Sequence, residues 1–236
     1  MPRLQMKLSI IIPTLNEEHT IEQLIRRIIE ARVPIDYELV IVDDHSTDQT
    51  FVIESRLRDL LGQERMKLLR NLTNKGKGAC IRQGLKHATG DILVIQDADL
   101  EDDPAEIPRL LKPILRGQAQ VVYGSRFLRA KGRPRGMAWS NYVTNRLLTW
   151  ITNRLYGLHL TDMETCYKLI RRELLQDLQL RANRFEFEPE ITAKLVRRGI
   201  TIIERPISYR GRSVREGKKI RAKDLFIAAW TLLRVR

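Results

Sequence analysis

The stretch IQDADLEDDP, residues 95–104, carries five acidic side chains within the seven positions from Asp97 to Asp103, in a chain whose formal net charge is +13. Two readings compete: a site for a divalent cation, or a solvated acidic turn. Asp97 and Asp99 follow the apolar run DILVI, which reads as a strand. Where that strand breaks into a turn, both carboxylates can reach one point, with the small Ala98 leaving room between them. Carboxylate oxygens are hard ligands suited to Mg²⁺ or Mn²⁺, ions that keep several waters and bind a substrate's phosphates as well. Glu101, two positions on, is a third candidate ligand. Asp103 and Glu106 read differently. Asp103 before Pro104, with Glu106 three later, is the pattern of an N-cap, a first-turn proline and a capping-box acid. Asp102 has no evident task.

Other polar stretches punctuate the chain. VDDHSTDQT places Asp43 and Asp44 at another strand end, where a carboxylate can accept hydrogen bonds from a nucleobase or ribose; Ser46, Thr47 and Asp48 read as helix capping. NKGKGAC, residues 74–80, suggests a phosphate loop but has neither the Walker nor the GxGxxG spacing, so its glycines read as close backbone approach at a helix start. Cys80 and Cys166 stand in unrelated contexts without a CxxC pair or a His/Cys cluster. That argues against zinc and for a reducing cytosol.

The elements that must position these residues follow from hydrophobic patterning. The runs at 8–15, 37–44, 66–71, 91–98 and 119–126 read as buried strands separated by amphipathic helices. Continuous apolar strands alternating with helices imply a mostly parallel sheet covered on both faces. Ligands of such sheets bind at the carboxyl ends of the strands. PTLNE, DDHSTDQT, DADLED and GSR all fall there. In the second half, RAKGRPRGM (129–137) reads as a loop and residues 138–157 as a helical pair rich in Trp, Tyr and Arg. That pair suits either a membrane interface or packing on the core. A strand or strand pair at 199–210 and a basic loop at 210–220 lead into an amphipathic segment. The expected organisation is one α/β domain over 1–221 with a C-terminal amphipathic helix, 222–236, facing membrane or core.

Charge narrows the partners. From Ile107 to Thr161 there are ten Lys/Arg and no Asp or Glu; from Lys194 to the end there are thirteen basic and three acidic residues. Such an excess attracts phosphates, anionic lipid or nucleic acid, or is simply a solvated surface. No basic motif interleaved with aromatics supports nucleic acid. The longest apolar run near the C-terminus, LFIAAWTLL, has nine residues, against about 20 needed to span a bilayer. With no secretory signal visible, the expected location is cytoplasmic, peripheral at the inner face of the membrane.

IIPTLNEE, IVDDHSTDQT, NKGKGACIRQGLKHATGD, IQDADLEDDP, VVYGSRF, TDMETCYKLIRR, FEFEPEI and PISYRGRSVREGKK occur in that order. Together, over roughly residues 7–220, they resemble family 2 glycosyltransferases of the dolichyl-phosphate mannose synthase type. The resemblance implies a GT-A fold, a Rossmann-like, mostly parallel sheet flanked by helices. It implies a nucleoside-diphosphate sugar donor (GDP-mannose or a UDP-hexose) and a polyprenyl phosphate acceptor at a membrane surface. Position by position, Pro13, Leu15 and Glu17 would line the base and ribose pocket, and Val42 and Asp44 would contact the nucleobase. Asp97, Ala98 and Asp99 would form the DxD segment, with Asp99 and Glu101 on the metal. The family often carries Gln where this chain has Glu101; a carboxylate there would tighten cation binding. Arg126, Arg212 and Lys218 would embrace the diphosphate or the acceptor phosphate. Asp162 falls near the acceptor, with helix capping as the plainer alternative. The implied reaction is one inverting displacement. A lipid phosphate, already ionised, needs no strong base; for a hydroxyl acceptor, Asp162 or Glu164 would be the candidate base. The basic loops 129–136 and 210–219 would close over the acceptor. The rival readings are a soluble family 2 enzyme acting on a sugar or protein hydroxyl, a basic nucleic-acid-binding module, and a non-catalytic member of the fold.

Overall fold

The structure, a computed structural model, describes residues 6–130, 132–176, 178–211 and 222–235. Arg212 and Lys218, with most of the 210–219 loop, lie outside the described residues.

The apolar runs become strands because their side chains are buried on both faces. In β1 (Lys7–Thr14), Ile10, Ile11 and Ile12 are all fully buried, the signature of an interior strand rather than a half-solvated one. β2 (Asp36–Asp43), β3 (Met66–Arg70), β4 (Ile92–Ile95), β5 (Val121–Ser125), β6 (Lys168–Arg171) and β7 (Ile202–Pro206) complete a seven-stranded sheet of order β3-β2-β1-β4-β6-β5-β7. Ile10 of β1 stands opposite Leu39 of β2 and Val94 of β4. β6 runs antiparallel to both its neighbours, β4 and β5, whereas every other pair is parallel. The pattern reading does not contain β6. It is four residues long and opens on Lys168, so no apolar run announces it.

The helices are α1 (Ile21–Glu30), α2 (Thr50–Leu61), α3 (Lys77–His87), α4 (Ile107–Leu115), α5 (Trp139–Tyr156), α6 (Arg172–Gln176), α7 (Phe187–Arg197) and α8 (Ala222–Val235). α1 buries Ile21, Leu24, Ile25 and Ile28, one stripe at helical spacing. α3 sits close to the 182–184 segment because its first turn carries glycine. A Cβ on Gly78 would stand 2.6 Å from the Ala182 carbonyl oxygen, and one on Gly76 2.5 Å from that of Asn183.

Asp103 is an N-cap as expected, its Oδ1 accepting from Ala105 N at 3.1 Å ahead of the 3₁₀ turn Pro104–Glu106. Glu106 does not close a capping box. Its carboxylate accepts from Ser208 N and Oγ at 3.1 and 2.9 Å and pairs with Arg109 at 2.6 Å, fastening this turn to the segment after β7.

Residues 138–157 form one helix rather than a pair, ended by Gly157 in the left-handed conformation. α5 buries Asn141, Asn145, Leu148, Thr149 and Thr152 and leaves Trp139, Val143, Leu147 and Trp150 exposed. α8 shares a cluster with it: Ala228 and Leu232 pack with Leu148, Leu160, Met163 and Ala193, and Tyr156 Oη donates to the Leu232 carbonyl at 2.7 Å. Among the described residues no helix is long and apolar enough to cross a membrane.

Candidate active site

A cavity of about 380 Å³ opens at the carboxyl edge of β1 and β4, beside the end of β5. It gathers Pro13 from the end of β1, Leu15 and Glu17 from the loop after it, and Asp44 from just past the end of β2. Asp97, Ala98, Asp99 and Glu101 come from the turn after β4, and Arg126 from the end of β5. A wider groove, about 840 Å³, runs beside α7 and α8 past Lys194, Arg197 and Trp230. It holds none of the expected residues, and its Lys194 is already paired with Glu190 at 2.6 Å. Chemistry, not size, therefore selects the smaller cavity.

The wall from β1 and β2 is stitched by side chain to backbone bonds. Asn16, at φ 55°, donates its N–H to Ser46 Oγ at 3.0 Å and accepts from Thr47 N at 2.9 Å. Glu17 N donates to Thr50 Oγ1 at 2.8 Å. Asp43 accepts from Ser46 N at 2.7 Å. Asp44 Oδ1 accepts from Asn71 Nδ2 and from Lys75 N, each at 2.8 Å, and its Oδ2 from Gly76 N at 2.7 Å. Asp44 thus ties the 71–76 loop to the sheet edge as well as lining the cavity. Val42, expected at the nucleobase, is fully buried inside β2 and does not line the cavity, its Cγ2 lying 3.6 Å from where a Cβ on Gly84 of α3 would be.

The acidic stretch is engaged on all sides. Lys77, at the start of α3, reaches Asp97 at 2.8 Å and stands 3.5 Å from Glu188 of α7, which in turn accepts from the fully buried Lys168 of β6. Asp99 Oδ1 accepts from Glu101 N at 3.1 Å. Glu101 Oε2 accepts from Tyr209 Oη at 2.8 Å. Asp102, which the sequence left without a task, is buried on the cavity wall with no hydrogen-bond partner for Oδ1 among the described residues. Burial, opposed by Arg126 and reinforced by Asp99, Asp97 and Glu101, pushes its carboxyl up to about 8. Among the described residues, no three His, Cys, Asp or Glu side chains close around one point. The expected set of Asp97, Asp99 and Glu101 is therefore not pre-assembled, because each carboxylate already has a protein partner. The donor chemistry still suits Mg²⁺ or Mn²⁺, which are commonly held by one or two carboxylates together with the substrate's phosphates and not by an all-protein cage.

On the opposite wall, Asp162 grips Arg126 in a two-pronged pair, Nε to Oδ2 and Nη2 to Oδ1, each 2.7 Å, and also accepts the Arg126 N–H at 3.0 Å. Asp162 is fully buried, and its own N–H donates to Glu204 at 2.9 Å. Burial opposes the Arg126 charge, but Asp162 more than offsets it, so the guanidinium is held protonated more firmly than usual. Asp162 is therefore neither a helix cap nor a lining residue: both its oxygens orient Arg126. Glu164 does line the cavity, with Oε1 unpartnered among the described residues. Burial first, then Glu188, raise its carboxyl to about 7, against the pull of Lys168 and Arg126.

Several wall residues escaped the sequence reading. Lys77 lies in NKGKGAC, read there only for its glycines. Asn141 and Asn145, four apart on the inner face of α5, have no motif around them, and Tyr209 sits in PISYR. Glu188, in FEFEPEI, stands behind Lys77, and neither residue type nor spacing there points to that pairing. For Lys77, Tyr209 and Glu188 the one available signal is the order of those motifs, since their contacts join residues far apart in the chain; Asn141 and Asn145 have none.

The family model for Glycosyl transferase family 2 matches residues 9–179. The chain belongs to glycosyltransferase family 2. Among curated relatives, the dolichol-phosphate mannosyltransferase of Pyrococcus furiosus is 28% identical over 224 residues, covering 94% of this chain and 61% of that protein. The undecaprenyl-phosphate 4-deoxy-4-formamido-L-arabinose transferase of Sodalis glossinidius is 28% identical over 90% of this chain and 62% of its own length. The chain thus spans about three fifths of these two relatives. Of solved structures, glucosyl-3-phosphoglycerate synthase from Mycobacterium tuberculosis, in complex with Mn²⁺, UDP and phosphoglyceric acid, superposes with a TM-score of 0.69 at 21% identity. The match covers 98% of this chain and 77% of that one. Another crystal of that protein contains Mg²⁺ and UDP. The expected GT-A α/β fold is the one observed, with β6 as its antiparallel member.

Proposed function

We propose that this family 2 enzyme transfers a sugar from a nucleoside-diphosphate donor, GDP-mannose or a UDP-hexose, to a polyprenyl phosphate at the cytoplasmic surface of a membrane, inverting the anomeric carbon. The observation that carries this reading is one cavity with an acidic edge, Asp97 to Asp102, facing an arginine already fixed in direction by Asp162. The relatives' names, both lipid-phosphate transferases, support the acceptor class.

Leu15, Glu17 and Asp44 would enclose the base and ribose. Asp99, with Glu101 or Asp97 once their present partners yield, would hold Mg²⁺ or Mn²⁺. Such a cation, when bound, neutralises charge growing on a departing diphosphate. Arg126 lines the cavity with Nε and Nη2 committed to Asp162, and would offer its remaining N–H groups to an anionic oxygen; a donor oriented before reaction stabilises developing charge without reorganisation. Arg212 and Lys218 are proposed to meet the same phosphates. The acceptor phosphate attacks as an anion, so no base is required. A second reading rests on Glu164: a carboxyl raised to about 7 on the cavity wall suits a general base for a hydroxyl acceptor.

A donor panel of GDP- and UDP-sugars, offered with polyprenyl phosphate and Mg²⁺ or Mn²⁺ and read by product mass, tests both. A glycosyl-phospholipid product is expected. Turnover of sugar hydroxyls, with lipid phosphate inert, would move the reading to Glu164.

A further inference from the structure

The outward face of α5 takes no part in the cavity. Trp139, Val143, Leu147 and Trp150 are 65, 57, 40 and 60% exposed. Their spacings of four, four and three place them along one side of the helix. The inner face of the same helix supplies Asn141 and Asn145 to the cavity wall. α5 is thus a partition one helix thick between the site and the apolar stripe. α8 packs against the same helix through Ala228 and Leu232 and leaves Trp230 and Leu233 exposed.

Charge along the segment that carries the stripe has a single sign. Arg129, Arg133 and Arg135 precede the helix and Arg146 and Arg154 lie on it, all exposed. From Ile107 to Thr161 there is no Asp or Glu. The Arg133 guanidinium lies 5.0 Å over the Trp139 ring, joining the basic approach to the apolar stripe.

Three occupants can be weighed against this chemistry. A second copy meeting the same face across a two-fold axis would set arginines against arginines, with no acid in the segment to compensate. A nucleic-acid interface is highly polar and has no use for a row of Trp, Val, Leu and Trp. An anionic bilayer accepts both features: the apolar side chains enter the headgroup–acyl boundary, tryptophans sit at headgroup depth, and arginines meet lipid phosphates. We propose that the Trp139–Val143–Leu147–Trp150 face of α5 docks on an anionic phospholipid surface, with the Asn141–Asn145 wall of the cavity directly behind it. The bearing on catalysis rests on the transferase reading; the docking itself does not.

Flotation with phosphatidylcholine vesicles, with and without phosphatidylglycerol, tests the surface. The chain floats with the anionic vesicles at low salt and is released as salt rises. W139S/W150S lowers the partition coefficient at least about tenfold. R146Q/R154Q lowers it about fivefold per arginine, and only on anionic vesicles. All four positions are exposed, and unchanged circular dichroism certifies the fold. Absence of wild-type flotation at low salt, or equal flotation of W139S/W150S, overturns the proposal. So does concentration-dependent dimerisation that W139S/W150S abolishes while vesicles leave it untouched. Lost flotation with intact nucleotide-sugar binding refutes the docking alone; lost sugar-nucleotide binding with intact flotation refutes the transferase reading alone.

Discussion

The two walls of the cavity hold their charges by different means. On the side of β1, β2 and β4, carboxylates are held largely by backbone N–H groups and neighbouring loops: Asp43 by Ser46, Asp44 by Lys75 and Gly76, Asp99 by Glu101. On the side of β5 and β6, they are held by buried ion pairs between distant segments, Arg126 with Asp162 and Lys168 with Glu188. A carboxylate satisfied by backbone remains a ligand in waiting, since the loop persists when its oxygen turns away. A buried ion pair is an orienting device whose halves depend on each other.

The largest expected effect tests that dependence. Asp162→Ala leaves Arg126 buried without its counter-charge and should cost about 3–5 kcal/mol of stability in denaturant unfolding. A cost within about 1 kcal/mol would mean that the pair does not hold this wall. On the opposite wall, Asp99→Ala should leave the unfolding curve nearly unchanged while lowering turnover about a hundredfold or more and abolishing the Mn²⁺ dependence of nucleotide-sugar binding in calorimetry. Undiminished Mn²⁺-dependent binding would remove Asp99 from the metal. Gly78→Ala forces a methyl toward the Ala182 carbonyl oxygen and should cost about 1–3 kcal/mol. That loss would loosen Lys77 from Asp97, where the two walls meet.

A pH test probes the floor of the first wall. Glu54 of α2 is fully buried with neither carboxylate oxygen hydrogen-bonded among the described residues. Burial, followed by the opposing effect of Thr14 and then the charges of Asp43 and Asp48, leaves its carboxyl raised from 4.5 to about 8. The folded state then binds more protons than the unfolded chain between those values, so stability falls as pH rises from about 4.5 to 8. Glu54→Gln should flatten part of that fall in a series of thermal melts; an unchanged slope would show that Glu54 is ionised when folded. The smallest effect separates the two faces of α5. Trp150→Ala, outward, should change stability by about 0.5 kcal/mol or less, whereas Leu148→Ala, inward, should cost about 2–5 kcal/mol.

Legibility divides along the same line. The strand runs around Ile10–Ile12, Leu39–Val42 and Ile92–Ile95 could be read directly, because interior strands must be continuously apolar. The polar ends after them followed, since a parallel sheet gathers ligands at one edge. Asp97, Asp99, Glu101 and Arg126 were legible from position and motif, and the cavity brings them together. Asp162 was legible as a matched position but not as the partner of Arg126. Val42 was placed on the wall by its motif, yet it is buried beneath α3.

The sequence by itself determined a layered α/β chain, the edge at which its chemistry sits, the acidic stretch and the basic field around it. All of these are written in local composition and short spacing. Tertiary structure alone decided that β6 enters between β4 and β5 in reverse, that Asp162 orients Arg126, that Lys77 joins Asp97 to Glu188, and that one face of α5 is wall while the other is exposed. These depend on which distant segments meet, and hydrophobic periodicity, which reports whether a residue is buried, does not report against what.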